Sequence, residues 1–225
     1  MKVLELTTSL ENFDDVLVFT ESALLARPEA KHLAVELTAL LEGLDALALE
    51  RRKARRAAVR AQAMAVMADR NIEGVIKKLQ SAALALTEQK RDVPWFAILF
   101  FATLTELTRP ALTRQITIGE ELLERLSDPG VPESLKATFE PLLKDVIEKG
   151  KGVDAERKAI KRDQRNLRAK EAAFKEKINQ TRTSVYGQLL QLPGGKGEAE
   201  TFFRSPAKIE ADEEDEGGEG GGTPG

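Results

Sequence analysis

Between Leu33 and Leu86 apolar residues recur at alternating spacings of four and three. The series is Leu33, Leu37, Leu40, Leu44, Leu47, then Ala54, Ala58, Ala61, Ala65, Ala68, Ile72, Val75, Leu79, Ala82 and Leu86, with Arg51 as the one interruption. A repeat averaging 3.5 residues and held this long is a coiled-coil seam, a stronger constraint than ordinary helical amphipathicity. The pattern occurs twice. Moving the numbering on by about 106 places Phe139, Val146, Val153, Ile160, Leu167, Phe174, Val185 and Leu192 on the same heptad positions, and Arg157 on Arg51. Two long helices with matched seams therefore frame the chain.

The connector between them is long enough for the second helix to turn back along the first. With matched ends, Leu33 faces Leu192, Ala58 faces Leu167, Ala65 faces Ile160 and Ala68 faces Arg157, so small residues meet large ones. In that register Glu171 falls near Arg51 and Arg55, and Arg157 falls beside Asp69. These four residues, Arg51, Arg157, Glu171 and Asp69, are the expected polar register of the seam. A parallel pairing of two first helices would set Arg51 against its own copy. Like charges in a seam are costly, so the antiparallel arrangement is favoured.

The chain in order reads as five segments. Residues 1–27 are a lead-in and an N-terminal helix, with Thr8 and Glu11 spaced as a capping box. Residues 28–91 form the first long helix, opened by Pro28 and weakest at Asp69–Gly74, where a kink is plausible. Residues 92–131 are an apolar helical head, Trp95–Leu107 followed by a second short helix. Residues 132–192 are the second long helix, with a pause expected at Gly150–Gly152. Residues 193–225 read as a disordered, glycine-rich acidic tail with too little apolar surface to fold alone. The expected fold is all-α: an elongated antiparallel coiled-coil hairpin or helical bundle with a small helical head and that tail.

Several function classes have no residues to carry them. The chain has no cysteine and one histidine, so thiolate nucleophiles, zinc-thiolate sites and a catalytic triad are not assembled. Glu29 and His32 have the Glu-x-x-His spacing of di-iron bundles, but that site needs the motif twice. No glycine-rich loop follows a strand, and Gly194–Gly197 follows a helix, at the wrong end of the dipole to hold phosphate. The expectation is a chain that is not an enzyme, with no catalytic, cofactor or metal residues and no small-molecule substrate. Met1–Glu5 lacks the apolar run of a signal peptide, and no window of about 18 to 20 apolar residues is present, so a cytoplasmic location is expected.

Two surfaces stand out. Arg51, Arg52, Arg55, Arg56 and Arg60 on the first helix, with Lys158, Lys161, Arg162, Arg165 and Arg168 on the second, could form a basic belt. Such a belt would bind nucleic acid or an anionic membrane surface; otherwise it is a solvated helix face. The window containing Trp95, Phe96, Phe100 and Phe101 holds more large apolar residues than one helix face needs. It caps the hairpin with a small core, docks a partner or second copy, or inserts into a membrane as in helical pore-forming toxins. The leading expectation is a non-enzymatic scaffold or assembly subunit that works by helix-to-helix contact. It would form a homo-oligomer or take a protein partner through the head, with the anionic binder as the alternative.

The second helix ends Ser184-Val185-Tyr186-Gly187-Gln188-Leu189-Leu190-Gln191-Leu192-Pro193-Gly194, followed by Phe202-Phe203. This end resembles that of a group of alanine- and arginine-rich helical proteins from bacteria such as myxobacteria. The resemblance covers about the last third of the chain. It implies a bacterial source and an all-helical fold, and it brings no activity with it.

Overall fold

A computed structural model of the chain describes residues 1–204, and every regular element among those residues is helical. Helix α1 spans Leu10–Leu25, a 3-10 turn spans Lys31–Leu33, and α2 runs unbroken over Ala34–Leu86. Three short helices follow: α3 at Pro94–Leu99, α4 at Leu104–Thr108 and α5 at Leu112–Leu126. Helix α6 is Glu133–Leu189 and α7 is Gly195–Thr201. The chain divides into two compact units, Met1–Lys53 with the chain from Arg165 onward, and Ala54–Gln164. Both long helices lend one end to each unit.

In the first unit, α1 buries Leu10, Phe13, Val16, Leu17, Thr20 and Leu24, one stripe at helical spacing. The apolar ones join Leu37, Leu40 and Leu44 of α2 and Ile178, Val185 and Leu189 of α6 in one core. Each such side chain contributes roughly 1.5–3 kcal/mol on burial. The capping box at Thr8 and Glu11 does not form. Ser9 caps α1 instead, its hydroxyl accepting the Asn12 N–H at 3.1 Å, while the Thr8 carbonyl is engaged by Lys175. The two long helices run antiparallel here, since Gly43 lies under Phe174 while Glu50, further on, bridges to Lys170, further back.

Contrary to the expected disorder from residue 193, Gly195–Thr201 is helical, and Ala199 and Phe202 are buried in the first unit's core. Gly194 makes the turn in a left-handed conformation (φ 105°). Phe202–Phe203 supplies the apolar anchor that the glycine-rich composition hides. The rest of the expected tail lies outside the described residues.

In the second unit the alanine seam gives way to bulk. Ala65, Ala68, Ile72, Ile76 and Leu79 of α2 share a core with Phe96 and Leu99 of α3, Leu112, Ile116 and Leu122 of α5, and Phe139, Leu143 and Ile147 of α6. Gly150 is no pause in α6. It is a place of close approach, with a Cβ there only 3.2 Å from Ile72 and from Ile116. Nor does α2 break at Asp69–Gly74. It stops at Leu86, short of residue 91, through Glu88 and Gln89 in the left-handed region, a stop that no glycine announces.

The register departs from matched ends. Matched ends would set Gly43 against Arg182 and Ile72 against Val153, whereas Gly43 packs on Phe174 and Ile72 on Gly150. The displacement is about two turns in the first unit and about one in the second. The heptad pattern marks which residues face inward, but side-chain volume against glycine decides where they stop.

Two glycines of α2 should therefore respond oppositely to alanine. At Gly43 a Cβ would overlap the Phe174 ring, so Gly43→Ala should lower the melting temperature, overpacking of about 1–3 kcal/mol outweighing a helix-propensity gain of about 1 kcal/mol. At Gly74 nothing lies within 4 Å of the new atom, so Gly74→Ala should raise it. Thermal melts of the two variants check both signs.

Candidate interaction surfaces

The head is where the structure most changes the reading of the sequence. The Trp95–Leu107 window is two helices with a break. The Thr103 hydroxyl accepts the Glu106 N–H at 3.3 Å, and the Glu106 carboxylate accepts the Thr103 N–H at 2.9 Å, a capping box that starts α4 afresh. Those Thr103 bonds hold the Glu106 carboxyl below its usual range. The break lets both halves turn inward. Phe96 and Phe100 are 5% and 8% exposed, with ring centroids 4.8 Å apart. Trp95 and Phe101 are half-buried, and the Arg125 guanidinium covers the Phe101 ring at 4.3 Å while donating to the Ile98 carbonyl at 2.8 Å. The expected docking residues Trp95, Phe96, Phe100 and Phe101 are thus largely spent on the second unit's own core.

The expected basic residues are all exposed, and α6 supplies an acid to two of them. In the first unit Arg51, Arg52, Arg165 and Arg168 have no carboxylate within ion-pair distance among the described residues. The same holds in the second unit for Arg55, Arg56, Arg60 and Lys161. Lys158, by contrast, bridges Asp154 at 2.7 Å, and Arg162 reaches its neighbour Asp163 at 4.0 Å. The buried Asp154 also accepts from Thr113 at 3.0 Å, which ties α5 to α6. The Lys158 hydrogen bond, joined by that from Thr113, lowers its pKa against the opposing effect of burial.

The expected polar seam is not made. No ion pair joins Arg51 to Glu171 or Arg157 to Asp69 among the described residues, where the register differs from the matched ends that would bring them together. Glu50 takes Lys170 at 2.7 Å, an exposed pair that adds little stability. Asp69 keeps a buried Oδ1 without a hydrogen bond, and burial, then the nearby Glu73, raise its pKa.

The second unit also carries a groove of about 400 Å³ between α2 and α6, which periodicity alone does not reveal. Met64, Met67, Ala68, Val146 and Val153 give it an apolar lining, and Asp145, Lys149 and Glu156 stand at its rim. Met64 and Met67 are 54% and 53% exposed. In the first unit the sequence reading missed a buried polar clamp. The Asn179 amide pairs with Leu4 in both directions, accepting its N–H at 3.1 Å and donating to its carbonyl at 2.8 Å. The Lys175 ammonium donates to the carbonyls of Leu6 and Thr8 at 3.1 and 2.5 Å. Residues 175 and 179 lie one helical turn apart on the core side of α6, where only the apolar series was counted. Elsewhere, no group of three or more metal-ligating side chains occurs among the described residues, and no helix among them is long and apolar enough to cross a membrane.

The unpaired Asp69 yields a signed expectation. A carboxyl whose folded pKa is raised stays protonated in the native state where the unfolded chain has already lost its proton. Stability therefore falls as pH rises from 3.8 through the raised value. Asp69→Asn should raise the melting temperature at neutral pH, and the gain should vanish below about pH 3.8. A pair with Arg157 would give the opposite sign at neutral pH.

No family model, curated protein or solved structure matches the chain, so the resemblance at residues 184–203 rests on those residues alone.

Proposed function

We propose that the chain is a non-enzymatic assembly subunit that joins a second copy of itself by packing helix on helix through the groove of the second unit. The single observation that carries this reading is the pair Met64 and Met67, each more than half exposed beside an apolar groove. Methionine is unbranched and polarisable, and so suits a surface that must adapt to a partner helix. Charge complementarity favours a second copy over an unrelated chain. The rim offers Glu156, which no ion pair occupies among the described residues, and α2 offers Arg60 and Arg56, one and two turns before Met64. A two-fold contact can bring each set against the other. The work such a protein does is positional, in the cytoplasm.

Gly152 provides the test. It lines the groove and nothing lies within 4 Å of a Cβ placed there, so Gly152→Gln fills the groove while improving helix propensity by up to about 1 kcal/mol. Sedimentation across a concentration series should show the parent associating and the variant monomeric with an unchanged or higher melting temperature. A parent that stays monomeric at every concentration, or a variant that associates as well as the parent, overturns the reading.

One observation favours a second reading, binding of an anionic polymer. Arg55, Arg56 and Arg60 stand on a single helix, exposed and without carboxylate partners among the described residues. Retention on duplex DNA should then fall steeply with salt, and Arg56→Glu with Arg60→Glu should abolish it. Salt-independent or absent retention removes this reading.

A further inference from the structure

The polar clamp of the first unit holds a segment with no regular structure of its own. Residues 1–9 precede α1, and Leu4 is their one buried side chain, at 8% exposed; Val3 and Leu6 stand 56% and 48% exposed. Leu4 belongs to the same core cluster as Phe13 and Ile178. Four hydrogen bonds tie the segment to α6, and in each of them the segment offers main chain and α6 a side chain. Asn179 pairs with Leu4 in both directions, as a neighbouring strand would, and Lys175 takes the carbonyls of Leu6 and Thr8. Nothing in these bonds depends on the side chains at positions 2, 3, 5 and 7. Asn179 and Lys175 are themselves buried, at 9% and 8% exposed, so it is the segment that satisfies them. The segment that fills the site also shows that the site has room for peptide.

We propose that this face of α6 is an exchangeable peptide site, which takes the N-terminal segment of a second copy in place of the chain's own. Its ligand is a short irregular peptide with one leucine, recognised through its main chain. One buried side chain and four bonds hold the segment, so it can open locally while α1, α2 and α6 stay packed. Opening strips Asn179 and Lys175 of their partners and empties the place of Leu4. A segment with the same main chain and the same leucine restores both. A second copy supplies that segment with identical contacts, which makes the exchange a low-cost swap of one element between protomers. The site lies in the first unit and is independent of the groove in the second.

Binding of a labelled synthetic peptide of residues 1–9, standing in for the segment of a second copy, tests the site on the full chain. Leu4→Asp in the chain weakens the segment's own hold and leaves α6 untouched, so this variant should bind the peptide saturably. Adding Asn179→Leu should weaken that binding roughly tenfold or more, since both bonds to Leu4 are lost. A peptide altered at Lys2, Val3, Glu5 and Thr7 should bind as well as the original, and one carrying Leu4→Asp should not bind. The proposal is overturned if the Leu4→Asp chain takes no peptide, if Asn179→Leu leaves the binding unchanged, or if the altered peptide fails where the original binds. If Leu4→Asp does not fold, hydrogen exchange in the parent decides. The Leu4 amide should exchange through a local opening, faster than the amide of Ile178 in α6, and equal protection of the two overturns the exchange.

Discussion

Large side chains seated on glycine set the helix spacing on which the rest of each unit depends. In the first unit the Phe174 ring lies on Gly43; in the second, Ile72 and Ile116 converge on Gly150, and Ile147 lies against Gly119. Glycine in a helix interior costs about 1 kcal/mol relative to alanine, so these positions are maintained against propensity. The return is close packing: a ring or a branched chain replaces a void that the alanine-rich seam would leave. The same contacts set the register, and the register decides which charges meet. Glu50 with Lys170, and Asp69 with no partner, both follow from it.

Much of this was legible in the residues. The 3.5-residue repeat identifies both long helices and much of their inward faces: Leu37, Leu40, Leu44, Ile72 and Leu79 are buried as it requires, whereas Leu86 is exposed and Ile76 and Ala83, off the repeat, are buried. The register was not legible, because heptads repeat and a seam can slide by whole turns without changing which residues face in. Glycine volume breaks that degeneracy, but Gly150 reads in sequence only as a pause, and nothing in the pattern marks Gly43 or Gly119 as a contact. The division of the head was marked by Thr103 and Glu106, a capping-box spacing overshadowed by the apolar run around it. Helix α7 was obscured by its glycines, and Phe202, set in a stretch with little other apolar surface, is its anchor.

The candidate surfaces were less legible than the fold. Exposure is a tertiary property, so the aromatic head read as a docking face until the break at Phe100–Thr103 turned its rings inward. The basic residues were correctly located, but the free ones and the paired ones, such as Lys158 with Asp154, differ only in what the facing helix presents. Lys175, Asn179 and Arg182 look in sequence like solvated polar residues of a charged helix. Their burial depends on residues 4–8 and on Phe203, which are distant in the chain, and no local pattern encodes that coverage.

The central claim is that glycine contacts, rather than matched helix ends, fix the packing of the two long helices. Proton NMR on the intact chain tests it within the first unit. The account predicts strong nuclear Overhauser contacts from the Phe174 ring to the Gly43 α-protons, together with a ring-current shift of those protons. Gly43 protons at ordinary helical positions, with their cross-helix contacts to Arg182 in place of Phe174, would contradict it.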